Sequence, residues 1–263
     1  MAKIPSSRQA KTSKVVYETT KEGLYPARLI RFAGLGTQPQ PAYDGQEKPD
    51  APKVALQFEL YDPKTAKPLD VVGTNTETNE TVSRPSCVFQ DYYLFPGATR
   101  GKVFELVQAL DPSVDRVPDD FEWFLARLGA PVQVKVATYK KKDGTLGVKV
   151  AGVTGVSDFV SNAMEPARSE LVGFDPYDGN IEKYERAYAQ LYPFQRTMLK
   201  EAGDAQYIPL AGTDPVKIDD NPANPNNKPT ETANPASGRT APTQHTPAEP
   251  TGNWEDDDSE RPF

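Results

Sequence analysis

The chain has 263 residues, of which 37% are hydrophobic, and its formal net charge is -7 at neutral pH. A chain of this length and composition can bury one main core, with at most a small satellite. The single cysteine, Cys87, excludes an internal disulfide, and the single histidine, His245, excludes zinc sites built from Cys and His. No apolar run has the length of a membrane span or a signal-peptide core, so we expect a protein without a membrane segment.

Charge and proline are unevenly distributed. Residues 213–263 carry ten acidic and four basic side chains, which leaves residues 1–212 close to neutral. Prolines crowd the same final segment, where large apolar side chains are few, and this composition predicts a disordered acidic tail. Any surface of the body that binds phosphate must therefore be a local basic patch.

The body contains a series of strand patterns and helix patterns. The predicted main strands comprise residues 23–32, 54–60, 87–94, 132–136 and 146–150. Alternation is strict in the second strand and broken in the first, which indicates a bulge there. Asp143-Gly144 is a strong signal for a hairpin between the last two strands.

Helices and loops occupy the remaining positions. Apolar residues have helical spacing at 100–110 and 119–128, and a further helix is predicted at about 180–202. Residues 38–52 read as a long loop. A short hairpin arm is predicted at 69–72 and a loop at 73–83.

Five strands with helices between the third and the fourth is the element order of the OB-fold, a partly open barrel that binds oligonucleotides. We therefore predict a mainly β fold with α-helices, in which a five-stranded OB-fold barrel comprises residues 23–157. A basic arm, residues 1–22, precedes it. A helical extension, residues 158–212, and the disordered acidic tail, residues 213–263, follow it.

A surface for single strands needs cationic side chains interleaved with aromatic rings. The third strand holds the densest aromatic run of the chain. If Val88, Tyr92 and Leu94 form its core face, Phe89 and Tyr93 point outward, and a register slip of one residue would reverse every assignment. The alternative is that these rings are simply core.

The turn between the fourth and fifth strands is the second candidate. It carries Tyr139, Lys140, Lys141 and Lys142, and this loop of an OB-fold grips oligonucleotides. Further predicted contacts to DNA are Arg28, Arg31, Lys53, Tyr61, Arg84, Lys135 and Lys149. A solvated lysine-rich hairpin end is the plain alternative.

The end of the chain gives the most specific signal. Asp256, Asp257 and Asp258 are followed, after three residues, by Pro262 and Phe263. An acidic run that ends in this way offers a partner protein an apolar anchor within a negative field. Here the chain resembles the tail tip of bacterial single-stranded-DNA-binding proteins, in which a single hydrophobic residue stands where this chain has three residues. The body is more similar in pattern to the phage proteins of that class.

The resemblance implies sequence-independent binding and protection of single-stranded DNA in phage DNA replication, recombination and repair, in the cytoplasm of the infected host. It also implies that the tail recruits replication or recombination proteins. The charge of the tail predicts that it competes with DNA for the basic surface. No cofactor is expected, and self-association is left open.

Two other classes of function are considered. An enzyme of the Ser-His-Asp or Cys-His type would need His245, which lies in the predicted tail. A nuclease that holds metal through carboxylates lacks an evident acidic set, and a phosphate-binding loop of the Walker type is absent from the sequence. A phage interaction or scaffold protein would explain the tail but would leave the lysine-rich hairpin unused. We therefore predict a non-enzymatic DNA-binding protein.

Overall fold

A computed structural model of the chain describes residues 15–141 and 144–211. The strands are β1 Val15–Tyr17, β2 Gly23–Gln38, β3 Ala51–Leu60, β4 Asp70–Asn75, β5 Thr81–Pro85, β6 Cys87–Tyr93, β7 Pro131–Lys140, β8 Leu146–Thr154 and β9 Val172–Phe174. The helices are α1 Lys102–Leu110, α2 Phe121–Leu125, α3 Asp158–Ala163, α4 Ile181–Ala189 and α5 Pro193–Glu201, followed by a 3₁₀ turn at Ala205–Tyr207. Among these residues no helix is long and apolar enough to span a membrane.

The main sheet has the strand order β6-β3-β2-β7-β8, with antiparallel pairing throughout, and β9 adds a sixth strand parallel to β2. The edge strands β6 and β8 approach each other without pairing, so this sheet is not closed. The prediction is thus confirmed as a mainly β fold with helices. The five-stranded barrel itself is not confirmed, because β2 is long enough to pair with β7 at its start and with the unpredicted β9 further on.

The inner face of this sheet forms the main core, as the sequence pattern predicts. The second predicted strand buries Leu56 and Phe58 completely. Val88 and Tyr92 of β6 and Leu94 directly after it are all buried, which confirms the core face predicted for that strand. The register of β2 against β3 shifts after Leu29, where the broken alternation predicts a bulge.

A second, three-stranded sheet has the order β1-β4-β5 and corrects the prediction for residues 73–83. They belong to a hairpin rather than a loop. Its turn is held by Asn75, whose side-chain Oδ1 accepts a hydrogen bond from the Glu77 amide at 2.9 Å. Asn79 adopts the left-handed conformation at φ 57°, which Asn tolerates better than most residues.

The extension, residues 158–211, packs on the outer face of β2 and β3. It has a core of its own, in which Phe174, Tyr184 and Leu199 surround Ala33 of β2. The single helix predicted at 180–202 is two helices, because Pro193 begins α5. Proline has no amide hydrogen to continue α4 but fits the first position of a new helix.

Candidate nucleic-acid interface

Two residues predicted to contact DNA instead attach the extension to the sheet. Arg28 donates to three backbone carbonyls, from Nη1 to Gly129 at 2.7 Å, from Nε to Glu165 at 2.9 Å and from Nη2 to Met164 at 3.0 Å. Tyr61 is fully buried, which corrects its predicted outward position. Alternation places Tyr61 on the outer face of β3, but the extension covers that face. Burial also raises the pKa of Tyr61 to about 12.

The side chain of Arg31 is also buried against the extension. It is only 7% exposed. Its Nε donates to Gln57 Oε1 at 3.2 Å, and its Nη1 donates to the carbonyl of Gln190 at 3.0 Å. The guanidinium carbon lies 4.5 Å from the centroid of the Tyr192 ring. Burial lowers the pKa of Arg31. The guanidinium groups of Arg28 and Arg31, predicted to contact DNA, thus bind carbonyls and side chains of the protein itself.

The outer face of β6 leads onto a row of three rings. Phe89 is 43% exposed, and its ring centroid lies 5.6 Å from that of Tyr192 in an edge-to-face arrangement. Tyr192 in turn stacks on Phe194 at 5.8 Å with an interplanar angle of 6°, and Phe194 is 50% exposed. We call Phe89, Tyr192 and Phe194 the aromatic row. It joins the sheet to the extension and presents two rings to solvent.

The start of α5 fixes the aromatic row. Gln195 is fully buried, and its Oε1 accepts a hydrogen bond from the backbone amide of Tyr192 at 3.0 Å. Pro193 fills the first position of the helix, so Phe194 extends from a rigid turn. Of this row, only Phe89 is predicted from the sequence. Pro193 is the sequence signal for the break that exposes Phe194, but nothing in the sequence places α5 beside β6.

The other end of β6 carries an ion pair and a tyrosine. Lys53 Nζ lies 3.2 Å from Asp91 Oδ2, and it lies 5.9 Å from the centroid of the Tyr93 ring. The hydroxyl of Tyr93 donates to the carbonyl of Pro39, at the start of the loop between β2 and β3, at 2.6 Å. Lys53 and Tyr93, each predicted to contact DNA, thus lie side by side, although Asp91 offsets the charge of the lysine.

The hairpin of β7 and β8 forms as predicted and presents its cations on two faces. Tyr139 pairs with Gly147, where an added Cβ would lie 2.6 Å from the tyrosine ring, so the ring covers the glycine. Lys149 pairs with Ala137, which alternation places on the face of Tyr139 and Lys135. Lys140 lies on the opposite face of β7 and is exposed. Lys142 lies outside the described residues.

Two predicted cations, Arg84 of β5 and Lys141 just after β7, lie beside the start of β6. Arg84 and Lys141 both line a depression of about 170 Å³, together with Ser86, Cys87 and Glu18. The Arg84 guanidinium carbon lies 3.9 Å above the centroid of the Tyr17 ring, which holds it at the edge of the small sheet. A surface therefore follows β6 from a basic end, past the aromatic row, to Tyr93.

The tail residues predicted to bind partner proteins, Asp256, Asp257, Asp258, Pro262 and Phe263, lie outside the described residues. Within residues 15–141 and 144–211, no group of three or more His, Cys, Asp or Glu side chains could hold a metal ion.

Comparison with known proteins identifies no relative of this chain: no family model, no curated protein and no solved structure matches it. The functional assignment therefore depends on the surface itself.

Proposed function

We propose that the chain is a non-enzymatic single-stranded-DNA-binding protein whose strand follows the outer face of β6. The observation that carries the proposal is the aromatic row, in which Phe89 is 43% and Phe194 50% exposed on either side of Tyr192. Exposed rings that lie together in one row mark a candidate interaction surface, unlike apolar side chains exposed singly. Bases of any sequence can stack on such rings, since every base has a π face.

The charge pattern around β6 supports the same path. Arg84 and Lys141 stand at one end of the strand, and the exposed Lys140 extends the basic region along the hairpin. A phosphate backbone attracted to these cations would be led past the aromatic row. Because the body is close to neutral, we expect this local patch rather than the overall charge to supply the electrostatic attraction.

We also propose that β2, β3, β6, β7 and β8 form an OB-type barrel. In its support, helices lie between the third and fourth of these strands, and the edge strands β6 and β8 approach each other. OB-folds bind oligonucleotides on the face of their second and third strands, here β3 and β6, and through two flanking loops. The extension covers β3, so the proposed path is displaced onto β6 and α5.

The wider role is a proposal of the same kind. We infer that the protein protects single strands during phage DNA replication, recombination and repair in the infected host. Its acidic segment, Asp256 to Asp258, would compete with DNA and help to recruit partner proteins. These inferences depend on the resemblance of the tail and on its charge.

The proposal is tested by titrating fluorescent oligo(dT) with the full chain at two salt concentrations, with a duplex of equal length as competitor. We expect tight binding at low salt, a steep loss of affinity at high salt, and weak competition by the duplex. Equal affinity for the duplex would reject the stacking surface. Magnesium-dependent cleavage of the labelled strand would reject a purely binding function.

A further inference from the structure

A polar cavity of about 280 Å³ opens beside the aromatic row, between the sheet and the extension. The lining residues that matter here are Arg31, Gln57, Ser169, Glu170, Gln190 and Tyr192. Pockets for whole small molecules usually enclose about 300–1,000 Å³. This cavity lies just below that range, a size that suits a smaller group such as one base.

A buried cation forms one wall of the cavity. Arg31 is 7% exposed, and its guanidinium plane is held by Gln57, the Gln190 carbonyl and the Tyr192 ring. These two hydrogen bonds use Nε and Nη1, whereas a guanidinium has five N–H donors. A cation that is held rigidly and removed from water favours a ligand that brings hydrogen-bond acceptors.

A carboxylate stands at the rim of the same cavity. Glu170 is exposed, and its Oε1 accepts a hydrogen bond from Gln190 Nε2. Its charge also acts on Arg31 and favours the protonated guanidinium. The cavity therefore combines a donor wall with an acceptor rim beside the aromatic face of Tyr192.

We propose that this cavity binds one guanine base of the strand, an inference that rests on the proposed function. The Watson–Crick edge of guanine carries the O6 acceptor next to two donor groups, N1–H and the N2 amino group. O6 matches Arg31, and the two adjacent donors match the carboxylate of Glu170. Adenine and cytosine offer one amino group beside an acceptor, and thymine offers a single N–H, so only guanine can bind a carboxylate through two donors.

The neighbouring bases of the same strand would stack on Phe89 and Phe194. Binding along β6 is then tolerant of sequence at most positions but favours guanine at one. This differs from the sequence-independent binding expected from the amino-acid pattern, because Gln190 and Glu170 come from the extension.

The test uses the full chain and oligomers of about 12 nucleotides, within the range of about 4–16 that one OB-fold contacts. One oligomer is all dT, and the others carry a single central guanine, hypoxanthine, adenine or cytosine. A single guanine cannot form a quadruplex. We expect the guanine oligomer to bind at least about fivefold more tightly than oligo(dT). A fivefold gain corresponds to the lower end of what a bidentate base contact contributes. Hypoxanthine, which lacks the amino group, should lose most of this gain.

Two variants connect the preference to the cavity. Glu170→Gln should remove the guanine preference, so that this variant binds the guanine oligomer no more tightly than it binds oligo(dT). Glu185→Gln makes the same charge change at an exposed position of α4 outside the cavity, and it should keep the preference. Both positions are exposed, so both variants should fold.

The outcomes separate the two proposals. If oligo(dT) binds but guanine brings no gain, the cavity proposal is rejected and the proposed function stands. A guanine preference that survives Glu170→Gln also rejects the cavity as its source. If none of the oligomers binds, the proposed function fails and the inference fails with it.

Discussion

The guanidinium of Arg31 stacks on the ring of Tyr192, with 4.5 Å between the guanidinium carbon and the ring centroid. The two residues are 161 positions apart in the sequence and come from β2 and from the start of α5. Their contact joins the extension to the sheet, and it also fixes the central ring of the aromatic row. The extension is therefore part of the candidate surface.

Loss of either exposed ring of the aromatic row should weaken DNA binding without unfolding the protein. Phe89→Ala and Phe194→Ala should each reduce the free energy of binding to oligo(dT) by about 1–3 kcal/mol, the usual contribution of one stacking ring. Phe159→Ala is the matched control, because Phe159 is 86% exposed on α3, outside the row. Fluorescence anisotropy measures all three. Equal losses in the control would show that ring removal acts non-specifically.

The basic hairpin should control the salt dependence. Replacing Lys140 and Lys149 with Gln removes two cations and should lower the affinity for oligo(dT) at low salt. The slope of log K against log salt should become shallower by about 0.7 for each phosphate that the variant no longer neutralises. Arg186→Gln, at an exposed position on α4, makes the same kind of charge change as a control. An unchanged slope in the lysine variant would exclude the hairpin from the interface.

A buried carboxylate should hold the extension on β3. Glu59 is fully buried. Its carboxylate accepts hydrogen bonds from the backbone amides of Arg168 at 2.9 Å and Ser169 at 2.7 Å. Glu59→Gln replaces one acceptor with an amino group that faces an N–H, so the free energy of unfolding should fall by about 2 kcal/mol. Urea denaturation tests this, with Glu77→Gln in the exposed turn of β4 and β5 as control. Equal stability of both variants would contradict the attachment.

The acidic tail should oppose DNA binding by charge alone. Residues 254–263 hold five acidic side chains and one basic side chain. Their deletion should tighten binding of oligo(dT) at low salt, and the gain should shrink as salt screens the charges over a Debye length of about 10 Å at 0.1 M. Replacing Asp256, Asp257 and Asp258 with Asn keeps the length and should reproduce part of the gain. If neither change affects affinity, competition by the tail is rejected.

Local patterns predict the sheet strands because burial on one face leaves a direct trace in the sequence. Val54, Leu56, Phe58 and Leu60 are buried on the inner face, as the alternation requires. Ala55, Gln57 and Glu59 on the outer face are buried as well, which the alternation does not predict. The face of β6 follows from Val88 and Tyr92 in the same way. The turn signal at Asp143-Gly144 likewise predicts the pairing of β7 with β8.

The parts that local patterns do not predict are long-range contacts. Arg28 and Arg31 have the sequence features of outward cations, and only the position of residues 158–211 shows that carbonyls of the extension accept their hydrogen bonds. Tyr61 follows the alternation of β3, but the extension covers its outer face. In β9, three residues are too few to leave a strand pattern. The sequence thus predicts the kinds of side chain at the candidate site, cations and aromatic rings, but it identifies only some of the residues.

Tyr61 provides the last prediction, which concerns stability at alkaline pH. Its hydroxyl is buried and meets the geometry of a hydrogen bond with no group of the described residues, and the nearby Arg28 guanidinium offsets only part of the effect of burial. A buried hydroxyl without a partner is unfavourable, so Tyr61→Phe should be more stable than the wild type by about 1 kcal/mol at pH 8. Burial raises the pKa of Tyr61 to about 12, above the ordinary value of about 10 in the unfolded chain. Between these values the unfolded chain releases the proton and the folded chain retains it, so the wild type loses stability as the pH rises from about 10 through about 12.

The advantage of Tyr61→Phe should therefore grow over that interval, as measured by urea denaturation at pH 8, 10 and 11. Burial also raises the pKa of Tyr177 and Tyr184, but both residues are present in both proteins, so their effects cancel in the difference. Tyr207→Phe removes a phenol that is 58% exposed to water and should follow the wild type at every pH. A constant difference between Tyr61→Phe and the wild type would mean that water reaches the Tyr61 hydroxyl, and hence that the extension does not seal the outer face of β3.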